Sequence, residues 1–317
     1  MPTINSKPKL YTEYIATPWC IKLELSRGCN LRCSFCPVST DESLQSKSTW
    51  EFMEPRTLQE FCHSYNEMRL IHSPNSWPRI ELALRGEPLL NPQVEECLMV
   101  IRDLLPMCQI TMFSNGTQLL KDDTLLNRVF DAGLNILYID CYNNTYSRFE
   151  THCNKVKRDS IGVFDAKDLS PYRIHKNGHK LTAISLIVGL EDQENSLSVR
   201  KIHNMGGNVE DAPLIQLGWK KPKDLPLQKN CTKPHRDIVC YSDGNIITCC
   251  LDWYPTEATI LGNIFDNSVE EIWYGKKHLQ ILRQLWSKDR NFGLCSTCSY
   301  AGGYRFGFLQ DPNIKKG

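Results

Sequence analysis

The sequence has no long apolar run. Its apolar stretches stay well short of the roughly 18 consecutive residues that would indicate a membrane-spanning helix, and the mean hydropathy is -0.38. Residues 1–8 also lack the apolar core of a secretory signal peptide. We therefore expect a cytoplasmic protein with no membrane partner.

The chain has no excess of either charge. It carries 37 Lys and Arg residues against 36 Asp and Glu residues, a formal charge of +1. A strongly basic balance is the electrostatic signature of nucleic-acid binding, and this sequence offers no evidence for such a partner. The length of 317 residues fits about two domains, or one large α/β barrel with an appendage.

Cysteine is the residue type in unusual supply. There are 15, too few for a small disulfide scaffold and odd in number, and nothing points to export. In a reducing cytosol such cysteines are expected as metal ligands, catalytic thiols or core residues. Six lie singly in apolar or helix-like stretches and are interpreted as packing residues, with Cys141 the least secure: Cys20, Cys62, Cys97, Cys108, Cys141 and Cys153.

Two cysteine groups have the spacing of metal ligands. Cys29, Cys33 and Cys36 follow the pattern C-x3-C-x2-C, and no nearby histidine completes a four-ligand zinc site. On a [4Fe–4S] cluster, three thiolates would leave one iron open for chemistry. The second group can supply four sulfurs for a closed site, where zinc is an alternative; it contains Cys295 and Cys298, with Cys231, Cys240, Cys249 and Cys250 upstream.

Strand-like and helix-like stretches alternate between residues 20 and 140. Apolar residues recur at every second position in the predicted strands, and helical stretches separate them, which predicts parallel βα units. The predicted helices include Thr57–Ile71 and Gln93–Leu105. The predicted strands are Cys20–Ser26, Arg79–Arg85, Gln109–Ser114 and Asn135–Asp140, and apolar runs at Ser160–Phe164 and Leu181–Val188 could complete six.

Each of the first four predicted strands runs into a polar or glycine-bearing turn. Such turns are common in any protein, but in parallel α/β folds the carboxyl ends of strands form the ligand site. Four in succession, with the cysteine triplet on the first, favour one shared site. The four turns begin at Ser26, Gly86, Ser114 and Asp140.

The cysteine triplet, with Phe35 before its last member, resembles the signature of radical S-adenosylmethionine (SAM) enzymes. The resemblance implies a partial (β/α)6 TIM-like barrel in which Cys29, Cys33 and Cys36 hold a [4Fe–4S] cluster. In that family SAM chelates the open iron and is cleaved by the reduced cluster to a 5′-deoxyadenosyl radical. It also implies an external electron donor such as flavodoxin or ferredoxin.

The same resemblance gives roles to the strand-end turns. Gly86 and Glu87 lie in a sequence similar to the family's Gly-Gly-Glu-Pro motif, which contacts the SAM amino group, although Arg85 replaces the first glycine. Ser114 and Asn115 match the motif that reaches the SAM ribose and carboxylate. Two further positions are implied as cofactor contacts: Asp140 near the ribose or carboxylate, and Gly189 near the adenine.

The C-terminal part resembles the SPASM/twitch extension of radical SAM enzymes. It reads as a hairpin across Asp243-Gly244, then a helix begun by a capping box at Ser268, then Cys295-x2-Cys298. The expected module is a small hairpin-plus-helix unit with one auxiliary [4Fe–4S] cluster, on which Cys250 could replace Cys249. The implied ligands are Cys231, Cys249, Cys295 and Cys298.

These parts predict the organisation and activity of the chain. We expect a tail or strap at 1–18, a radical SAM barrel at 19–210, a linker at 211–230 and the cluster module at 231–317. The expected activity is oxidation of a small molecule of sugar, cyclitol or nucleoside type, because a motif starting at residue 29 leaves no room for a peptide-leader domain. Asp252, Asp140 and Tyr142 are candidate catalytic bases. A peptide- or protein-modifying maturase, an epimerase, and a non-enzymatic zinc or iron–sulfur protein are the alternatives.

Overall fold

The computed structural model of the protein describes residues 15–165, 182–188, 204–216 and 220–300. The strands in this part of the chain are β1 (Cys20–Leu23), β2 (Ser26–Arg27), β3 (Glu51–Phe52), β4 (Arg79–Leu82), β5 (Gln109–Ser114), β6 (Ile136–Cys141), β7 (Gly162–Asp165), β8 (Ala183–Val188), β9 (Asp237–Cys240), β10 (Asn245–Ile247) and β11 (Ile260–Asn263). Nine of them form one sheet of parallel and antiparallel strands, in the order β11-β10-β9-β1-β4-β5-β6-β8-β7. A small second sheet pairs β2 with β3.

Helices connect these strands and cover one side of the sheet. Within the described residues the α-helices are α1 (Glu42–Gln45), α2 (Pro55–His72), α3 (Val94–Leu104), α4 (Leu125–Asp131), α5 (Tyr146–Val156), α6 (Asp211–Gln216), α7 (Lys233–Arg236), α8 (Val269–Trp273) and α9 (Lys276–Trp286). Those longer than eight residues are α2, α3, α5 and α9. None of them is long and apolar enough to cross a membrane.

The four strands predicted along residues 20–140 and the two that the later apolar runs could add are all present and parallel. Gln109–Ser114 matches its predicted bounds, and the others shift by one to three residues at their ends. Strand β8 lies between β6 and β7 and is parallel to both. In a purely sequential barrel β7 would lie next to β6. Here β8 takes that place, and β7 lies beyond it.

The two sides of the parallel sheet differ in chemistry. Alternate residues such as Ile21, Leu23 and Ile80 pack against the helices in the main core. This side also buries Cys141, as the packing interpretation predicts. The opposite side carries polar and aromatic residues at the intervening positions, including Lys22, Glu24, Glu81, Thr111, Phe113, Tyr138, Asp140 and Ser185.

The C-terminal hairpin extends the barrel sheet. Strand β9 pairs in parallel with β1, Cys20 opposite Asp237 and Leu23 opposite Cys240, while β10 and β11 continue as antiparallel strands. The capping box at Ser268 and Glu271 is confirmed. The helix that follows is broken after Trp273. The backbone of Gly275 is extended, with φ -69° and ψ 153°, and a Cβ there would lie 2.6 Å from the Glu271 carbonyl oxygen.

Candidate functional site

The cysteine triplet lies in the loop that leaves β2, at the carboxyl end of the first parallel strand. A backbone bridge joins Gly28 to Gly86, with the Gly28 N–H donating to Arg85 O at 3.2 Å and the Glu87 N–H to Gly28 O at 3.0 Å. A Cβ on Gly86 would lie 2.3 Å from the Ser26 carbonyl oxygen. Glycine is needed there because two backbones meet, and the Gly-Glu turn thereby braces the cysteine loop.

The three thiols of this loop are partly exposed, unlike the core cysteines. Desolvation by burial raises the pKa of Cys29 to about 11 and that of Cys36 to about 12. The Leu31 N–H points at Cys29 Sγ from 3.4 Å, and Asn115 Nδ2 donates to the same sulfur at 3.6 Å. Donors are thus already aimed at a sulfur that would become a thiolate ligand.

Glu87 organises the third strand-end turn. Its carboxylate accepts from Ser114 Oγ at 2.7 Å, from the Asn115 N–H at 2.7 Å and from the Leu89 N–H at 3.0 Å. Burial raises the pKa of Glu87 to about 7, and the nearby Asp140 adds to the shift. The Glu87 and Ser114 side chains bind each other, and this hydrogen bond fixes the turn after β5.

Asn115 links that turn to the cysteine loop. Besides Cys29 Sγ, its Nδ2 donates to Asn30 Oδ1 at 3.0 Å, and its Oδ1 accepts from Thr117 Oγ1 at 2.6 Å. Asn30 Nδ2 closes the ring by donating to Thr117 Oγ1 at 2.7 Å. The predicted cofactor contact Asn115 is therefore placed directly beside the first cysteine.

The remaining predicted contacts of the barrel lie at the same end of the sheet. Asp140 is buried on the polar side of β6, and the Tyr142 ring packs against Phe35 with centroids 5.5 Å apart. Phe35 also packs beside Val209. Gly189 lies outside the described residues. The structure thus brings Phe35, Asp140 and Tyr142 to the cysteine loop.

The four cysteines of the second group converge in the C-terminal module. Cys231 and Cys295 pack with Ile281 and Leu285 of α9, and Cys249 and Cys298 pack with Leu251. The Leu294 and Tyr300 side chains contact both pairs. The second group is therefore one buried shell of thiols, and burial raises the pKa of Cys295 to about 12.

Cys250 is close to this shell but differs from its members. It is partly exposed and accepts a hydrogen bond from Lys233 Nζ at 3.4 Å. Cys249 is 6% exposed and faces Cys298 and Leu251. Cys240 lies in the main core, as a strand residue should.

Both groups fit iron–sulfur clusters by the chemistry of their donors. Seven thiols supply a soft, all-sulfur ligand set, three of them partly exposed and four buried. Within the described residues, no three His, Cys, Asp or Glu side chains are arranged to hold a single metal ion. A partly exposed triplet suits a cluster that also binds a small molecule, and a buried quartet suits a fully ligated one.

A short loop joins the two groups. The segment from Leu251 to Trp253 follows Cys249 and Cys250 directly. The Trp253 side chain forms a buried cluster with Val38 and Leu44, and Cys29 and Cys36 pack against this cluster. Asp252, between them, is 4% exposed. Its carboxyl faces Thr259, burial raises its pKa, and Oδ2 has no hydrogen-bond partner within the described part of the chain.

Three residues of this junction were not predicted as site residues. The Arg85 guanidinium forms a two-pronged ion pair with Glu24, at 2.6 and 2.7 Å, and donates to the Trp253 carbonyl oxygen at 3.2 Å. The sequence signal was Arg85 itself, which stands where the related motif has glycine. Glu24 and Trp253 carry no motif, and only the fold brings them to it.

Comparisons with known proteins agree with this arrangement. Residues 231–299 match the family described as SPASM, an iron–sulfur cluster-binding domain. A search of curated proteins gave no match. Among solved structures, BtrN in complex with AdoMet and 2-DOIA is similar at a TM-score of 0.62 and 18% identity, over 89% of this chain and 92% of BtrN. An open form of BtrN gives a TM-score of 0.55 and 16% identity over the same shares.

SuiB of Streptococcus suis bound to the precursor peptide SuiA has a TM-score of 0.45 and 12% identity, over 86% of this chain and 69% of SuiB. The predicted C-terminal iron–sulfur module is confirmed by the match over residues 231–299, and the fold is similar to that of BtrN, which was crystallised with AdoMet. The α/β fold class with a C-terminal iron–sulfur module is confirmed as well.

Proposed function

We propose that this protein is a radical SAM oxidoreductase that acts on a small molecule of sugar, cyclitol or nucleoside type. The observation that carries the proposal is the pairing of two sulfur sites of different kind. A partly exposed triplet stands at the ligand-binding end of the parallel strands, and a buried quartet stands across a three-residue loop from it. The BtrN complex with 2-DOIA supports the substrate class.

The cofactors are SAM and two [4Fe–4S] clusters, one held by Cys29, Cys33 and Cys36 and one by Cys231, Cys249, Cys295 and Cys298. When bound, the first would supply the electron that cleaves SAM to a hydrogen-abstracting 5′-deoxyadenosyl radical, and the second would accept the electron left on the substrate. The SPASM match over 231–299 supports the second assignment. An external electron donor such as flavodoxin or ferredoxin would reduce the clusters. We place the protein in the cytoplasm, where a reducing environment would keep its cysteine thiols free of disulfides.

The chain's own residues position SAM and move a proton. The Gly86–Glu87 backbone, which braces Gly28, and the Ser114–Asn115 turn form the edge against which SAM would lie. A radical oxidation also needs a base for the hydroxyl proton. Asp252 is our first choice, because its Oδ2 is buried without a partner among the described residues and lies in the loop between the two sulfur sites.

Asp140 and Tyr142 remain alternative bases. Asp140 lies near the buried Glu87, and a proton on either carboxyl would relieve the repulsion between them. Tyr142 lies against Phe35 at the mouth of the cysteine loop. The three candidates are tested by separate substitutions, Asp252→Asn, Asp140→Asn and Tyr142→Phe. Replacing the true base should block product formation while 5′-deoxyadenosine is still released from SAM.

Anaerobic reconstitution tests the proposal as a whole. Two clusters predict about eight irons per chain and release of 5′-deoxyadenosine from SAM under strong reductant. Cys29→Ala should abolish that release, whereas Cys141→Ala, a core cysteine, serves as the control and should not. Zinc in the C-terminal quartet, or intact SAM after reduction of the loaded protein, would contradict the proposal.

The outcome for the substrate separates oxidation from the alternatives. A dehydrogenase yields one oxidised product for each deoxyadenosine released, without an added oxidant, and 2-DOIA is the first probe. Epimerised or rearranged product with no net oxidation would reject the oxidoreductase assignment. A modified peptide would place the protein among the maturases.

A further inference from the structure

Arg85 lies where three parts of the site meet. Its guanidinium is 7% exposed and binds Glu24 of the barrel through both carboxylate oxygens. The same group lies over the Tyr241 ring, with Cζ 3.6 Å from the ring centroid. Its remaining nitrogen reaches the Trp253 carbonyl oxygen of the loop between the two sulfur sites.

Tyr241 holds the same loop at a second point. Its hydroxyl donates to the carbonyl oxygen of Asp252, one residue before the carbonyl that Arg85 binds. Glu24 is in turn fixed by Ser242, whose Oγ lies 3.2 Å from Oε2. Two consecutive carbonyls are thus bound by side chains that are themselves anchored just after the ends of strands β1 and β9.

The backbone before Arg85 is strained in a way that serves this contact. Leu84 has a φ of 93°, a region that residues other than glycine rarely adopt and that costs energy unless the surroundings impose it. Leu84 packs against Val239, Tyr241 and Ile247, while the next residue turns to Glu24. Strain of this kind is concentrated at functional sites.

The loop held in this way contacts both sulfur sites. It follows the quartet member Cys249, and its Trp253 side chain belongs to the apolar cluster against which Cys29 and Cys36 pack. Between them stands Asp252, whose carboxyl has one oxygen with no hydrogen-bond partner among the residues that the structure describes. Any movement of the loop would shift the carboxyl relative to both sites.

We propose that Arg85 is a positioning residue that holds the Leu251–Trp253 loop in register between the two cluster sites. Its role in coupling radical formation to substrate oxidation rests on the function proposed above, whereas its hold on the loop does not. A planar guanidinium with a two-pronged partner suits this task, because it binds Glu24 and still has a donor for Trp253. Lysine at this position offers a single charged nitrogen and cannot do both.

Hydrogen exchange of the cluster-loaded protein tests the proposal. Arg85→Lys should speed exchange of amides in residues 249–254 about tenfold, the effect expected for loss of one buried hydrogen bond. Tyr241→Phe removes only the hydroxyl and keeps the ring under Arg85. It should also speed hydrogen exchange of the amides in residues 249–254. Arg69→Gln is the matched control, since Arg69 is also buried against an aromatic ring, that of Trp77, but lies away from the site.

Electron paramagnetic resonance of the same samples separates positioning from collapse. Arg85→Lys should keep about eight irons and the spectral change of the reduced triplet cluster on adding SAM, while the ratio of oxidised 2-DOIA to deoxyadenosine falls at least tenfold. Unchanged exchange at 249–254 in both Arg85→Lys and Tyr241→Phe would overturn the proposal. Absence of SAM cleavage in the wild type would instead overturn the proposed function.

Discussion

Replacing Arg290 should disrupt the buried cysteine quartet and leave the partly exposed triplet intact. It is 2% exposed and donates to three carbonyl oxygens: Lys229 at 2.7 Å, Tyr300 at 2.7 Å and Asn230 at 2.9 Å. These carbonyls belong to the segments that carry Cys231 and Cys298. Arg290 therefore ties together two walls of the quartet.

The magnitude follows from those three bonds. A hydrogen bond from a charged group contributes about 1.5–3 kcal/mol, and bonds that share one group are not additive. Replacement by glutamine leaves at least two buried carbonyls without a partner. We expect Arg290→Gln to lower the free energy of unfolding by about 4 kcal/mol and to reduce the iron content from about eight to about four.

The assay pairs this variant with Arg128→Gln. Arg128 also makes three side-chain hydrogen bonds, to Glu95, Asp122 and Thr124, but its side chain is 45% exposed. Exposed pairs contribute at most about 1 kcal/mol. Urea unfolding of the metal-free proteins, followed by tryptophan fluorescence, gives the free energies, and iron analysis gives the cluster content. Equal losses in the two variants, with full iron in both, would refute the reasoning.

Three further predictions concern the sulfur sites and their supports. Cys249→Ala should leave about four irons while Cys250→Ala keeps about eight, and the reverse result would make Cys250 the ligand. Asn115→Ala removes a donor to Cys29 Sγ and should lower the midpoint potential of the triplet cluster by about 50 mV in a redox titration; an unchanged potential would contradict the contact. Because burial raises the pKa of Glu87 from 4.5 to about 7, the folded state retains its proton where the unfolded state has lost it, so stability falls as the pH rises from about 4.5 to 7. Glu87→Gln should remove about 3 kcal/mol of that fall, measured by unfolding the metal-free protein across this range, and identical pH profiles for both proteins would refute it.

The parts of the fold that could be predicted from sequence are those set by local chemistry. Strand Gln109–Ser114 has its predicted bounds. Its apolar residues determine which side of the strand faces the helices, and this pattern is contained within the strand itself. The capping box at Ser268 depends on a hydroxyl and a carboxylate three residues apart, and it forms as predicted. Such patterns are legible because the interacting groups are neighbours in the chain.

Other features depend on contacts between distant segments. At the helix break, the Gly275 backbone lies close to the Glu271 carbonyl oxygen, a contact that an apolar periodicity cannot reveal. The exchange of β7 and β8 is a choice of strand order that leaves the pattern of either strand unchanged. Glu24 occupies a polar position in an alternating strand pattern, and its partner Arg85 is 61 residues away in the chain, so the pattern gives no sign of the ion pair.

The pairing of β9 with β1 explains how two sites of separate sequence origin can act together. Strand β1 leads toward the triplet loop, and β9 lies between Cys231 and Cys249 of the quartet. Their register, Cys20 opposite Asp237, is maintained by backbone hydrogen bonds, so the spacing of the sites is set by the sheet. The segment between barrel and module can therefore vary in length without altering that spacing. A change at Arg85 or Tyr241 would instead displace the Leu251–Trp253 loop that lies between the two sites.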